Sequence, residues 1–162
     1  MFWDPNEENQ ILAAARFYYH IRKWSIIPIV GGDKIPRIRS WKKYQSEYLE
    51  PEQIEFWFSK SNVNIGLITG ILSGVVVVDF DIKKNTGEFS DIAKQLMKEM
   101  PPTIISRTGS GGLHYFFKYP SDKKLSNFVK KDIGVDFRGE GGYVVLPPSI
   151  HSNGKEYEFI CN

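Results

Sequence analysis

Between Glu7 and Lys23, apolar residues recur at Ile11, Leu12, Ala15, Tyr18, Tyr19 and Ile21. That spacing predicts an amphipathic helix. The pattern changes at Trp24, where Trp24 to Val30 is nearly all apolar and predicts a short strand. Pro28 inside it points to an edge position or a bulge, because proline has no N–H to give to a ladder. Gly31-Gly32-Asp33 turns the chain into a loop that runs to Lys43. Pro51, whose fixed φ suits a first helical position, opens a second helix with Ile54, Trp57 and Phe58 on one face.

Beyond this point short apolar runs alternate with glycine-rich turns. Asn64 to Thr69 and Val75 to Asp81 flank Gly70-Ile-Leu-Ser-Gly74, which predicts a hairpin. Phe89 to Met100 has helical period and is closed by Pro101-Pro102. Thr103 to Arg107 with Leu113 to Tyr119, and Ile133 to Arg138 with Tyr143 to Leu146, predict two more hairpins. A last strand is expected at Glu156 to Ile160. Runs of hairpins with segregated helices indicate an α+β fold. With no repeat or interior linker, residues 1–162 are expected to form one domain. The chain stops soon after a strand, so the domain is expected to be part of something longer.

Composition adds limits. The net charge of +2 says little, but its distribution says more. Arg22, Lys23, Lys34, Arg37, Arg39, Lys42 and Lys43 are opposed only by Asp33, and Lys118, Lys123, Lys124, Lys130 and Lys131 form a second cluster. Such stretches attract polyanions or form a solvated face. The single cysteine, Cys161, excludes a disulfide framework within the chain and a Cys-rich zinc module. Acids near the N-terminus are wrong for a secretory signal, and no apolar run reaches the ~20 residues of a spanning helix. A cytoplasmic setting without a membrane partner is the expectation.

Candidate chemistry gathers in three places. Asp79 and Asp81 are two apart on a strand, so their carboxylates share a face, while four valines anchor that strand inside. Two like charges held close raise a pKa unless a cation sits between them, and Mg²⁺ or Mn²⁺ favours such oxygen ligands. The alternative is a solvated acidic strand end. Arg107-Thr-Gly-Ser-Gly-Gly-Leu-His114 is a flexible loop whose backbone N–H groups can approach phosphate, bracketed by two donors, or else a plain turn. Asp136 lies in another strand and could join the first two acids, with Arg138 on the same face. An internal Asp136–Arg138 ion pair is the alternative. Pro147-Pro-Ser149-Ile-His151 follows as a rigid turn presenting a hydroxyl and an imidazole.

Taken together, five segments resemble the primase-polymerase (prim-pol) family of the archaeo-eukaryotic primase superfamily. They are Asn64-Ile-Gly-Leu-Ile-Thr-Gly70, Ser73-Gly-Val-Val-Val-Val-Asp79-Phe-Asp81, Thr108-Gly-Ser-Gly-Gly-Leu-His114, Asp136-Phe-Arg-Gly-Glu-Gly-Gly-Tyr143, and Pro147 to His151. Lys34-Ile-Pro36 is similar to the family's N-terminal Lys-x-Pro element. The resemblance implies a catalytic core with an antiparallel sheet like that of an RNA-recognition motif, at about 61–162, behind an N-terminal αβ unit at about 1–60. It implies that Asp79, Asp81 and Asp136 bind two Mg²⁺ or Mn²⁺ ions, with His114 also in the catalytic set. It implies triphosphate binding by Ser110, Gly111, Gly112 and His114, with Lys34, Arg107 and Arg138 as further phosphate contacts. Ser149 and His151 are then expected near the incoming nucleotide. The implied activity is DNA polymerase or primase, acting on a DNA template and primer with dNTP or NTP substrates. Some relatives carry a Cys/His zinc insertion; no cysteine falls in the corresponding stretch, so no zinc is expected. Primer extension is expected rather than de novo priming, within a longer replication or CRISPR-associated protein.

Two rivals stand beside it. A DxD glycosyltransferase also pairs aspartates with a metal, but needs a doubly wound domain that this order of elements does not give. A non-catalytic RNA-recognition-type module would place aromatics, not aspartates, on its central strands. Trp41, Tyr44 and Trp57 are candidate stacking residues, with core packing expected for Trp57.

Overall fold

The Asn9 side chain accepts a hydrogen bond from the Leu12 amide at 2.9 Å and so caps the first helix, α1 (Gln10–Arg16). The computed structural model describes residues 3–160; Cys161 lies outside them. After α1 the helical period continues through a π-helical turn, Phe17–Ile21, rather than a single helix reaching Lys23. There follow β1 (Ile26–Val30), α2 (Pro51–Phe58), β2 (Val63–Ile68), β3 (Val75–Phe80) and α3 (Asp91–Glu99). The chain then forms β4 (Ile104–Arg107), β5 (Leu113–Lys118), β6 (Phe128–Lys130), β7 (Val135–Arg138), β8 (Tyr143–Leu146) and β9 (Glu158–Ile160). Both sheets are antiparallel, in order β1-β2-β8 and β6-β7-β3-β5-β4-β9, which makes the fold α+β.

The hairpin expected between β4 and β5 forms, but two others do not. β2 and β3 share only the bridge Gly70↔Val75, and β7 and β8 lie in different sheets. The reason is that both edges of β2 are taken, by β1 and β8, and both edges of β3 by β5 and β7. Each glycine-rich connection therefore carries the chain from one sheet to the other. The small sheet thus draws β2 and β8 from beyond residue 60, so a division of the chain there does not follow the sheets. Pro28 does lie on an edge strand, where its carbonyl accepts from the Arg37 amide at 2.8 Å. β6 was not expected; its three residues are all exposed and carry no period to detect.

The core follows from which face each strand turns inward. Val75, Val77 and Phe116 of the large sheet pack with Ile65, Leu67 and Leu146 of the small one, the π-helical turn adds Tyr18, and α2 adds Ile54 and Phe58. Each such side chain, fully buried, stabilises by roughly 1.5–3 kcal/mol. On the far face of the large sheet, α3 covers Phe80, Tyr115 and Val135 through Ala93. Trp57 packs against the main core, as expected. No helix among the described residues is long and apolar enough to cross a membrane.

Candidate active site

Strand pairing aligns four polar residues across the large sheet. Asp136 of β7 pairs with Asp79 of β3, Asp79 with His114 of β5, and His114 with Ser106 of β4. Directly opposed residues share a face, so these side chains form a polar row on the face that otherwise packs over the small sheet. Asp81 follows the end of β3, and its amide donates to the Gly134 carbonyl at 2.9 Å, which keeps it beside β7. Asp79, Asp81 and Asp136 each offer a carboxylate oxygen within 4.8 Å of the other two. Arg138 places Nη2 2.6 Å from Asp136 Oδ2 and 3.9 Å from Asp79 Oδ2. The Asp136–Arg138 pair therefore exists, but inside the acid cluster rather than apart from it.

Burial sets the charge states. It pushes the Asp79 carboxyl up to about 6, against the pull of Arg138 and Lys34, and Asp136 adds to the rise. Asp81 is also raised, by burial and then by Asp79. Burial and the Lys34 charge lower His114 to about 3 despite the opposing effect of Asp81, so its imidazole is neutral near pH 7. The His114 Nε2 to Asp79 Oδ1 contact of 3.5 Å is consequently no ion pair, and it is long for a hydrogen bond. Asp79 Oδ1, His114 Nδ1 and Ser106 Oγ are all buried without a hydrogen-bond partner among the described residues. A buried, unpartnered carboxylate oxygen facing two more carboxylates suits a hard divalent cation with oxygen ligands, such as Mg²⁺ or Mn²⁺.

A cleft of about 340 Å³ opens beside this row, between Asp79, His114 and Arg138 on one side and Lys34, Trp41 and Tyr143 on the other. Its volume falls within the roughly 300–1,000 Å³ of small-ligand sites. Trp41 meets Tyr143 edge-on at 5.3 Å, and Tyr143 Oη donates to the Lys34 carbonyl, which ties the Lys34 loop to the small sheet. Tyr157 also lines the cleft and is pushed up to about 12, by burial and then by Asp79 and Asp81.

The loop before His114 is pinned on both sides. The Thr108 amide donates to the Gly112 carbonyl at 2.8 Å, and Thr108 Oγ1 lies 2.9 Å from Ser110 Oγ. A Cβ at Gly112 would sit 2.6 Å from the Phe80 carbonyl, and one at Gly109 would sit 2.2 Å from His151 Cβ. Only glycine allows backbone to approach this closely. The loop thus lies between the Asp81 end of β3 and the segment carrying His151, with Asn153 Nδ2 donating to the Gly109 carbonyl at 2.9 Å.

The structure thus brings Lys34, Asp79, Asp81, His114, Asp136 and Arg138 together, seats Gly112 against the Phe80–Asp81 end of β3 and Gly111 against Ile82, leaves Ser110 on Thr108 within the same loop, and sets His151 beside Gly109. It does not bring Arg107 or Ser149 to the cleft. Arg107 follows Ser106 on β4, so it faces the opposite side of the sheet, where Nη1 pairs with Glu158 Oε1 at 2.7 Å. Ser149 is fully buried, and its Oγ accepts from the Ile65 amide at 2.9 Å. Ser149→Ala is expected to cost about 1–3 kcal/mol by leaving that buried N–H unpaired. Denaturant titration checks this; an unchanged midpoint would mean the bond contributes nothing. From the first basic cluster, Lys34 alone lines the cleft. Arg37 binds the Ser61 and Asn62 carbonyls, Lys43 pairs with Glu47, and Arg22 lies over Trp24.

Sequence reasoning missed Tyr143, Tyr157, Ser106 and Asn127. Ser106 left a signal, a lone hydroxyl on the inward side of an apolar strand. Asn127 left none: its role, bonding the Gly139 amide and the Glu140 carbonyl to hold that turn, exists only in three dimensions. A family model described as bifunctional DNA primase/polymerase, N-terminal, matches residues 15–162. No curated protein matches the chain.

Proposed function

Because the chain belongs to the bifunctional DNA primase/polymerase N-terminal family, we propose that it catalyses template-directed nucleotidyl transfer to the 3′-hydroxyl of a DNA primer. The observation that carries this is the meeting of Asp79, Asp81 and Asp136 within 4.8 Å at the mouth of a cleft faced by Lys34, Arg138 and His114. The three aspartates would hold two divalent ions, Mg²⁺ or Mn²⁺, which when bound supply Lewis-acid stabilisation of the reacting phosphoryl oxygens. Lys34 and Arg138 offer fixed positive charge to a triphosphate, and neutral His114 offers an N–H. The Ser110 and Gly112 amides add backbone donors from the loop that packs on the end of β3, the Gly111 amide being bound to the Thr108 carbonyl. Trp41 and Tyr143 give the cleft an aromatic wall against which a base can pack. The step joins the primer 3′-oxygen to the α-phosphorus, breaks the bond to pyrophosphate and releases the hydroxyl proton to water.

The substrates are a primed DNA template and dNTPs or NTPs. A non-catalytic RNA-recognition-type module fits less well, since its base-stacking face is here the row Asp136, Asp79, His114 and Ser106, set against the small sheet. The deciding assay is primer extension with dNTPs and with NTPs, each in Mg²⁺, Mn²⁺ or EDTA. Template-dictated incorporation that requires the metal is the expected result. RNA binding indifferent to EDTA, with no incorporation under either metal, would replace this reading with the module.

A further inference from the structure

The acid cluster is divided between two cavities. Asp79 lines the 340 Å³ cleft, whereas Asp81 and Asp136 line a second groove of about 290 Å³ that shares no residue with the first. Across this groove stand Lys83 and Lys84 from the loop after β3 and Lys131 from the turn after β6, with Asp132 the one further acid. None of these lysines forms an ion pair among the described residues, whereas nearby Lys94 is engaged by Glu88 and Asp91. The Lys83 backbone is nonetheless fixed: its amide donates to the Glu88 carbonyl at 2.7 Å, and its carbonyl accepts from Gly87 at 2.8 Å. The groove reaches β6 through Val129, which pairs with Asp136 and so shares its face, whereas Phe128 stacks on Phe137 on the opposite face. Lysines on an edge strand also discourage strand-to-strand aggregation. That role accounts for Lys130 and Lys131 but not for Lys83 and Lys84, which reach the same groove from another segment.

We propose that this groove holds the phosphodiester backbone of the growing primer strand and delivers its 3′ end to Asp81 and Asp136. The inference rests on the nucleotidyl-transfer reading and gives it a direction. In an in-line displacement the attacking and leaving oxygens lie on opposite sides of the phosphorus. With the triphosphate in the cleft of Lys34, Arg138 and His114, the attacking hydroxyl must arrive from the other side of the acids, and the lysine groove is there. Its free cations match a polyanion.

The test is the triple variant Lys83→Ala, Lys84→Ala, Lys131→Ala, with fluorescence anisotropy of a labelled primer–template duplex in EDTA and without nucleotide. The expected result is a loss of affinity on the order of 10–100-fold, with a slope of log K against log salt shallower by about 2–3, near 0.9 per lysine–phosphate contact. The triple Lys→Arg variant should retain binding, and Lys98→Ala should match the parent. Photo-crosslinking from the second and third nucleotides of the primer 3′ end should map to residues 83–84, 129 and 131. An unchanged affinity and slope, or crosslinks to these residues from the template strand alone, overturns the proposal. Because neither readout needs turnover, a parent protein that binds in this way but never extends a primer would sink the catalytic reading and leave the groove assignment standing.

Discussion

The double variant Asp79→Ala, Asp81→Ala is expected to lose primer extension by at least about 10³-fold while keeping its fold. The size follows from what the acids would hold: removing several kcal/mol of metal-borne charge stabilisation, at 1.36 kcal/mol per tenfold in rate, would reach that loss. The fold should survive because neither carboxylate supports it. Asp79 Oδ1 has no hydrogen-bond partner, and the apolar packing of β3 runs through Val75, Val77 and Phe80. Circular dichroism and a melting curve on the same preparation separate loss of chemistry from loss of structure. Extension within tenfold of the parent would mean that these acids are not the reacting centre.

The second large effect concerns stability. Asp79 is raised to about 6 when folded, mainly by burial, from an ordinary carboxylate value of 3.8. The native state therefore holds its proton more tightly than the unfolded chain. Below the unfolded value both states are protonated and Asp79 costs nothing. As pH rises from about 4 to 6, stability falls, and above 6 the whole penalty is present, on the order of 3 kcal/mol. Asp79→Asn removes the charge at nearly constant shape. In EDTA at pH 7.5 that variant should melt on the order of 10 °C above the parent, and the difference should vanish at pH 4. A parent equally stable with its variant at pH 7.5 would refute the buried-charge account. Saturating Mn²⁺ should restore the parent, by about 2.7 kcal/mol at a hundredfold excess over Kd, and restore the variant far less.

Such strain is the cost of a built site. A buried carboxylate whose Oδ1 has no hydrogen-bond partner is poor for folding and suited to capturing a cation, so stability and the proposed function pull in opposite directions at Asp79. Charge neutralisation by Arg138, which lies 2.6 Å from Asp136 and 3.9 Å from Asp79, limits the conflict without removing it.

Much of this was legible along the chain. The helical period before Trp24, Pro51 at a first helical turn and the short strands of the second half dictate an α+β fold. The two-residue spacing of Asp79 and Asp81, and of Asp136 and Arg138, sets each pair on one face, since alternation is a local property of extended backbone. The glycines before His114 mark a tight loop because only glycine tolerates those approaches.

Other features were decided by pairing between distant strands. Local signals at Gly70 to Gly74 and Gly139 to Gly142 predict hairpins, yet both turns cross between sheets, because β2, β3 and β7 find better partners elsewhere. That choice, not any local pattern, sets Asp136 opposite Asp79, turns Arg107 away toward Glu158 and buries Ser149 under β2. The lysine groove is likewise visible only in three dimensions, since it joins residues 83–84 to residue 131 across one edge of the sheet. Sequence alone determined which side chains could do chemistry and which neighbours share their face. The tertiary structure decided which of them meet, because convergence depends on strand register and layer packing, and those are settled by burial across the whole chain.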